Sequence, residues 1–502
     1  MPSARSILRL TAAAVAAAAG LALTAIPSAA APDDGPALAR QLERKVTVDG
    51  INRHLIALQR IADTNDGNRA ASTTGHNKSA EFIAGKLTEA GFNVTKHEFP
   101  FTYTETLAET LTVAGTQVPI VVMTYSTPTP EGGITAPLAV VPVDDTPGCD
   151  ATDYTDLTGK IALIKRGSCP FAQKQQVAAD AGAVGAIIYN NVADEALHGT
   201  LGDPSAARIP TGGITLADGE ALAAQPGAAT TLELRTLQEE RTSYNVIAET
   251  TTGRKDNVVM AGSHLDSVTD GPGINDNGTG SATLLEVALR LTGSPKVNNA
   301  VRFAWWSAEE FGLIGSDRYV ESLSFEQQLD IALYLNFDMI GSPNAGYFSF
   351  DGDNSDGVGA GPGPFGSAQI EKAFVDYLAG KGIAAEGTDF DSRSDYAGFV
   401  AAGIPAGGLF TGAEDLKTEA QAAKWGGQAG IAYDPCYHQA CDNLGNVDRV
   451  ALDRNADAVA WVIGSYGKST EDVNGVPTRA QRAQVRAVAK TAAVQPSHGV
   501  AI

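Results

Sequence analysis

Cysteine, cationic side chains and long apolar runs are scarce in this chain of 502 residues. It contains 36 Lys and Arg residues against 58 Asp and Glu residues, and its formal net charge at pH 7 is −22. Nucleic acids and anionic membrane surfaces are bound by clustered cations, so this balance argues against both as partners. The 4 cysteines do not form the close C-x-x-C pairs that are typical of a thiolate zinc site.

One apolar run lies within the first thirty or so residues. Arg5 and Arg9 precede this run, which continues through residues 21–26, and small residues follow it at 28–31. A charged segment, an apolar segment and an A-x-A-like site are typical of a secretory signal peptide, so we predict that residues 1–31 are removed and that the protein is secreted. Pro27 interrupts the run and nothing comparable follows it, which disfavours the alternative of a retained membrane anchor.

The cysteines fit an exported protein. Disulfides form and persist in oxidising compartments, so an exported chain with these spacings is expected to contain two local disulfides. We predict the pairs Cys149–Cys169 and Cys436–Cys441.

Hydrophobic patterning divides the chain into two domains and a tail. Apolar residues recur at helical spacing between about residues 46 and 94. Residues 107–237 contain short β-rich runs between Gly, Pro and Asp turns, which indicate an inserted domain. Apolar runs then alternate with helical stretches, which predicts an α/β fold with a mostly parallel central sheet flanked by helices in residues 32–106 and 238–466. The polar tail, residues 467–502, is expected to be disordered or removed.

Three predicted strands end close to side chains that can bind metals. His264 and Asp266 follow the run NVVMAG, Glu309 and Glu310 follow AVRFAWWSA, and Asp338 follows LYLNF. Open α/β sheets place their binding sites at the carboxyl ends of their strands. Adjacent buried carboxylates repel each other and lose hydration, which a bound cation would compensate. We therefore predict a metal site, in which Asp266 accepts the second ring N–H of His264.

Two further segments complete this site. Asp276 lies in a Gly-rich loop before a predicted helix, between the two groups of ligands, and is the natural bridging ligand. Tyr437 and His438 lie in the short loop that Cys436 and Cys441 could close, which would hold the phenol and the imidazole rigidly as an oxyanion donor and a ligand. Imidazole and carboxylate donors without thiolate suit zinc and are compatible with cobalt or manganese.

The sequence closely resembles the secreted bacterial leucine aminopeptidases that use two zinc ions, over nearly all of residues 46–466 except the insert. The matching strings are AGSHLDSV, GINDNGTGSA, RFAWWSAEEFGLIGS, LNFDMIGSP, SRSDYAGF, GGLFTGAE, CYHQACD and ALDRNADA. The insert's string GCDATDYTDLTGKIALIKRGSCPFAQK resembles the protease-associated domain. That second resemblance implies a role in substrate access or partner contact, without catalytic residues.

The resemblance also implies a role for each residue of the site. One zinc ion would be held by His264, Asp338 and the bridging Asp276, and the other by His438, Glu310 and Asp276. By the same resemblance, Glu309 would be the general base, Tyr437 would stabilise the tetrahedral intermediate, and Asp266 would be the partner of His264. Arg393 would lie near the substrate terminus, and Phe410 would form a wall of the hydrophobic pocket.

A calcium site in the family corresponds to Asp453 and Asp457, which are four residues apart on one predicted helix face. The remaining calcium ligands in the family come from its amino terminus. This chain has Lys45 and Val46 there instead. The resemblance thus implies two zinc ions as cofactors. It also implies a possible calcium site, of which this chain matches only part of the ligand set.

On this basis we expect a secreted, monomeric aminopeptidase that removes leucine and other large hydrophobic residues from peptides with free amino termini. One alternative is a carboxypeptidase or a glutaminyl cyclase on the same scaffold, for which Arg393 is the only obvious cation to bind a substrate carboxylate. Another is a binding or receptor module that has lost catalysis. That last interpretation expects missing ligands, and none is missing.

Overall fold

The computed structural model describes residues 35–193, 197–202, 204–471 and 475–494. The predicted signal peptide lies outside these residues. Within the described ranges, no helix is both long enough and apolar enough to cross a membrane.

Strands and helices alternate along most of the described chain. The strands are β1 (Asn93–Val113), β2 (Thr116–Val118), β3 (Val121–Val122), β4 (Ile134–Val140), β5 (Ile161–Lys165), β6 (Gly185–Tyr189), β7 (Thr211–Ile214), β8 (Ala229–Glu249), β9 (Arg254–His264), β10 (Asn299–Trp306), β11 (Ile331–Phe337), β12 (Phe348–Phe350), β13 (Glu386–Thr388) and β14 (Ala406–Phe410). The α-helices are α1 (Gly35–Lys45), α2 (Val48–Asp63), α3 (Thr74–Glu89), α4 (Phe171–Asp180), α5 (Leu216–Ala223), α6 (Gly280–Leu291), α7 (Ile314–Ser322), α8 (Phe325–Asp330), α9 (Ser367–Gly380), α10 (Ala397–Ala401), α11 (Glu419–Trp425), α12 (Arg449–Lys468) and α13 (Arg479–Val494).

Four parallel strands form the centre of the peptidase sheet. β9 pairs in parallel with β10 and β11, and β11 pairs in parallel with β14. The antiparallel strands β8 and β12 flank them. Every residue of β11 is buried, as expected for a nearly continuous apolar strand that is covered on both faces. The predicted α/β fold with a mostly parallel sheet is confirmed.

Helices cover both faces of this sheet because successive strand residues point to opposite sides. Trp305 of β10 belongs to a core cluster that also contains residues of α2, α3, α6, α9 and α12. Its neighbour Trp306 packs on the other face with Tyr334, Tyr319 of α7 and Phe399 of α10. The sheet is thereby held rigidly between two apolar layers, and its strand ends are fixed in position.

A long antiparallel ribbon connects the sheet to the insert. β1 and β8 have 21 residues each and pair along nearly their whole length. Beyond this ribbon, β4, β5, β6 and β7 pair in parallel, and α4 and α5 pack against them. The short β-rich runs did not predict this parallel order. The predicted disulfide between Cys149 and Cys169 is present in the insert.

The tail differs from the prediction of disorder. Arg482 of α13 is only 3% exposed and donates hydrogen bonds to the main-chain oxygens of Pro477 and Leu329. Arg479 forms ion pairs with Glu326 and Asp330 around α8. Residues 475–486 thus differ from the expected disorder, because the arginines of this segment have acidic and carbonyl partners, whereas removal of the tail stays a prediction. Residues 495–502 lie outside the described residues.

Candidate metal centre

The candidate site lies where the parallel strands end. His264 is the last residue of β9, Asp338 directly follows β11, and Glu309 and Glu310 follow β10 after a short turn. Because parallel strands end at the same edge of a sheet, these side chains come together although they are distant in sequence. Asp276 reaches the same place from the segment that precedes α6.

His264 lies close to two carboxylates. Its Nε2 atom is 3.2 Å from Asp276 Oδ1 and 3.3 Å from Asp338 Oδ1, whereas Glu309 Oε2 is more distant at 3.9 Å. All four side chains are largely buried, with exposed side-chain fractions of 1%, 6%, 12% and 10% for His264, Asp276, Asp338 and Glu309. This first group has the donor atoms of a metal site.

His438 forms a second group on the other side of Asp276. Its Nε2 atom is 3.3 Å from Asp276 Oδ2 and 3.0 Å from Glu310 Oε2. Asp276 thus presents one carboxylate oxygen to each histidine. The disulfide between Cys436 and Cys441 closes the loop that carries His438, as predicted.

These distances fit ligands that share a cation. In a tetrahedral zinc site with bonds of ~2.0–2.1 Å, neighbouring ligand atoms are about 3.3 Å apart. Two buried oxygens in the cluster, Asp338 Oδ1 and Glu310 Oε1, have no hydrogen-bond partner among the described residues. A buried acceptor without a partner is costly unless a cation contacts it. Donor type, spacing and these two unpaired atoms all suit a pair of divalent metal ions.

The electrostatics of the cluster point the same way. Burial raises the pKa of Glu310 to about 7 and raises that of Glu309 well above its ordinary value. Desolvation lowers the pKa of His438, but its hydrogen bonds to Asp276 and Glu310 outweigh this and raise it to about 10. The cluster therefore holds protons where a divalent cation would replace them, because a bound cation stabilises ionised carboxylates and neutral imidazoles.

Asp266 acts differently from the prediction. His264 Nδ1 lies 3.1 Å from the main-chain oxygen of Asp266, whereas the nearest carboxylate oxygen of Asp266 is 3.8 Å away. The fully buried carboxylate instead accepts the main-chain N–H groups of Glu309 at 3.3 Å and Glu310 at 3.4 Å. Asp266 thus fixes the ring of His264 through its backbone and the two glutamates through its side chain.

Arg69 is a buried residue of the site that sequence reasoning missed. Its side chain has 0% exposure and donates hydrogen bonds to the main-chain oxygens of Leu265, Pro272 and Gly273. Burial lowers the pKa of Arg69 to about 10. Arg69 ties together the two ends of the segment between His264 and Asp276. No local pattern around Arg69 in the sequence indicates this.

Three other polar residues around the metal ligands were also missed. Asp442 accepts the main-chain N–H of Asp276 at 3.0 Å, and Ser394 donates to Asp338 Oδ2 at 2.5 Å. Asp395 is 1% exposed, and burial raises its pKa to about 8. Asp442, Ser394 and Asp395 all lie within strings that carry the family resemblance, which was the available signal.

A small cavity of about 120 Å³ opens beside the metal ligands. Its walls include the apolar side chains of Met339, Phe350 and Phe410. The predicted residues Arg393 and Tyr437 also line it, and Arg393 Nη2 lies 3.3 Å from the Tyr437 hydroxyl and 2.8 Å from Glu414 Oε1. The cavity has room for one apolar side chain next to the metal centre.

The calcium candidates lie elsewhere, on α12. Burial and the charge of Asp453 raise the pKa of Asp457 to about 6. The nearby Glu43 forms an ion pair of 2.6 Å with Lys381. The positive charge of Lys381 acts in the opposite direction and lowers the pKa of Asp457. In the described part of the chain, Asp453 and Asp457 do not belong to a group of three side chains spaced to hold an ion. Calcium binding at Asp453 and Asp457 stays a prediction.

Comparison with known proteins adds independent findings. Residues 245–463 match the model of peptidase family M28, and residues 134–222 match the PA domain. A probable lipoprotein aminopeptidase from Mycobacterium tuberculosis is 48% identical, over 89% of this chain and 91% of its own length. Leucine aminopeptidase 2 from Trichophyton tonsurans is 42% identical, over 91% of each chain. The structure of a zinc aminopeptidase from Bacillus subtilis matches with a TM-score of 0.61 and 27% identity, over 86% of this chain and 98% of that one.

Proposed function

Because this chain belongs to peptidase family M28 and is a metalloaminopeptidase, we propose that it uses two zinc ions to release leucine and other large hydrophobic residues from the amino termini of peptides. The observation that carries this proposal is the position of Asp276, with one oxygen 3.2 Å from His264 and the other 3.3 Å from His438. A carboxylate between two imidazoles is suited to bridging two metal ions.

The ligands divide between the two ions. His264, Asp338 and Asp276 would hold one ion, and His438, Glu310 and Asp276 would hold the other. Bound zinc would supply Lewis acidity toward the attacking water and the substrate carbonyl. The Bacillus subtilis relative is a zinc aminopeptidase by its title, which supports zinc as the metal.

Glu309 is the proposed general base. Its carboxylate lines the cavity and makes no hydrogen bond to any described residue, so it is free to accept a proton from water. The same group can then return that proton to the leaving amine. The Tyr437 hydroxyl lines the cavity as well and can donate to the oxygen that becomes negative in the tetrahedral intermediate.

The proposed specificity rests on the lining of the cavity. Met339, Phe350 and Phe410 would contact an apolar first side chain, and the surrounding carboxylates would attract a free α-amine. The name of the Trichophyton relative supports leucine as the preferred residue. Arg393 is already paired with Glu414, so it is a poor receptor for the free carboxylate that a carboxypeptidase must bind.

We further propose that the protein is secreted and acts as a monomer. The amino-terminal sequence pattern and the two disulfides support an exported protein, since disulfides persist in oxidising compartments. Residues 32–106 and 238–466 would form the peptidase domain, and residues 107–237 the insert.

Hydrolysis of leucine p-nitroanilide tests the function. We expect turnover that a chelator abolishes and that zinc restores, with full activity near two zinc ions per chain. An amino-blocked peptide with a free carboxyl-terminal leucine should resist cleavage. Turnover that survives complete chelation, or cleavage of the blocked peptide only, would contradict the proposal.

A further inference from the structure

A second, larger groove lies between the insert and the peptidase domain. Its volume is about 700 Å³, well above that of the cavity at the metal centre. The ribbon strands β1 and β8 form one side, and residues 268–270 and the start of α7 form the other. Phe311 of the peptidase domain packs against Phe101 and Tyr103 of the ribbon, with ring centroids 5.5 Å and 5.2 Å apart, so the two sides are in direct contact.

The groove shares one residue with the proposed metal centre. Glu310, a proposed zinc ligand, lines the groove, whereas its neighbour Glu309 lines the small cavity. Among the described residues, the groove and the cavity share no lining residue, so the adjacent residues Glu309 and Glu310 line two separate openings. A peptide whose first side chain enters the cavity and whose first peptide bond lies at the metals has the groove available for its downstream residues.

The charged side chains of the groove are mostly negative. Apart from the proposed zinc ligand Glu310, the described residues that line it include four carboxylates, Glu105, Glu109, Glu240 and Asp270, and one guanidinium, that of Arg318. Arg318 is paired at 2.8 Å with Glu321, which does not line the groove. The groove therefore has a clear excess of negative charge.

Several of these carboxylates keep oxygens available for a ligand. Asp270 is exposed and has no hydrogen bond or ion pair with any described residue. Glu105 accepts one hydrogen bond, from the Tyr103 hydroxyl at 3.1 Å, through Oε2 only. Glu240 similarly uses only Oε1, for the Thr102 hydroxyl at 2.6 Å. Local partners thus hold Glu105 and Glu240 in place without neutralising their charge.

We propose that this groove binds the part of a peptide substrate downstream of the scissile bond and selects substrates with lysine or arginine at the second or third position after it. The inference rests on the proposed function and deepens it. An extended peptide advances ~3.3 Å per residue, so its second and third residues after the scissile bond lie roughly 7–10 Å from that bond. Complementary charge along the groove then favours cationic side chains and disfavours anionic ones.

A series of tetrapeptide amides tests this inference. Leu-Ala-Lys-Ala, Leu-Ala-Gln-Ala and Leu-Ala-Glu-Ala differ only at the second residue after the scissile bond, and kcat/KM is measured for each. We expect the lysine peptide to exceed the glutamate peptide by roughly tenfold at low ionic strength, and by less in 0.5 M salt, because surface charges are screened.

Paired variants locate the effect. The double variant Glu105→Gln with Asp270→Asn should reduce the ratio of lysine to glutamate peptide to about threefold or less. The control Glu220→Gln removes an exposed carboxylate of α5 that does not line the groove, and it should keep the wild-type ratio. If the double variant is unstable, Asp270→Asn alone should still lower the ratio, because this side chain has no partner among the described residues to lose.

The outcomes separate this inference from the proposed function. Wild-type protein that hydrolyses leucine p-nitroanilide but cleaves the three peptides equally well would overturn the inference and leave the aminopeptidase assignment intact. A ratio that is the same in the double variant and in Glu220→Gln would also overturn it. Wild-type protein that cleaves neither class of substrate would overturn the proposed function and this inference together.

Discussion

The buried carboxylate of Asp266 accepts the main-chain N–H of Glu309 at 3.3 Å. The same carboxylate accepts the N–H of Glu310 at 3.4 Å. One side chain therefore positions both the proposed general base and a proposed metal ligand. Burial raises the pKa of Asp266 to about 6, and these two N–H groups lower it, so they favour the ionised form.

Replacing Asp266 with asparagine should test this positioning role. Asp266→Asn keeps the size of the side chain but places an amide N–H group next to one of the two main-chain donors. We expect kcat or zinc affinity to fall by roughly 10–100-fold, as for other residues that orient metal ligands. The measurement is steady-state kinetics with zinc titration. Wild-type values for both would remove Asp266 from this role.

Glu309 and Glu310 are adjacent but have different proposed roles. Glu309→Gln should retain about two zinc ions per chain and lose at least roughly a hundredfold in kcat, because a general base contributes 10²–10⁴-fold. Glu310→Gln should lose zinc instead, since it removes a charged ligand. Metal analysis together with kinetics on both variants distinguishes the roles. Equal zinc content in the two variants, or an active Glu309→Gln, would contradict the assignment.

The candidate ligands at the strand ends could be predicted because two strong signals coincide there, an apolar run and a residue type that binds metals. Apolar runs mark buried strands, and His264, Glu310 and Asp338 follow such runs directly. Strand parallelism then brings these residues to one edge. Asp276 and His438 lie in loops, whose paths local patterns do not predict; they were proposed from the Gly-rich loop and from the loop that Cys436 and Cys441 could close, and only the division of ligands between the two ions relied on the resemblance.

The surrounding polar network could not be predicted in the same way. Arg69 and Asp442 bond to main-chain groups of distant segments, so their burial depends on the complete fold. Asp266 was expected to contact His264 with its carboxylate, but the local turn directs its main-chain oxygen there. The tail was expected to be disordered or removed because it is polar and lies outside the apolar pattern of the peptidase domain. The ion pairs of Arg479 could not be foreseen, because Glu326 and Asp330 are distant in sequence.

Arg69 should contribute strongly to the stability of the site. Arg69→Met would leave the main-chain oxygens of Leu265, Pro272 and Gly273 without this donor, and we expect a loss of roughly 3 kcal/mol in the free energy of unfolding. Arg69→Lys should also be destabilising, because an ammonium cannot reproduce the planar fork of donors. Arg60→Met, at an exposed position of α2, is the matched control. Denaturant unfolding that shows equal losses for Arg69→Met and Arg60→Met would contradict this role.

The metal-free protein should lose stability as pH rises. The pKa of His438 is raised from 6.5 to about 10, and that of Glu310 from 4.5 to about 7, so the folded state binds both protons more tightly than the unfolded chain. The contribution of Glu310 is present below pH 4.5 and is lost as pH rises through 7. That of His438 is present below pH 6.5 and is lost as pH rises through 10.

Zinc should reverse this trend because it replaces both protons. We expect the melting temperature of the metal-free protein to fall between pH 5 and pH 9, and the stabilisation by zinc to increase over the same interval. Thermal unfolding of both forms measures the difference. Parallel pH profiles for the two forms would contradict the proposed exchange of protons for metal.

The most direct measurement is a crystal structure with anomalous scattering recorded at the zinc absorption edge. We expect two peaks, one beside His264 and Asp338 and one beside His438 and Glu310, with an oxygen of Asp276 directed to each. A single peak, or zinc bound away from Asp276, would contradict the two-metal centre.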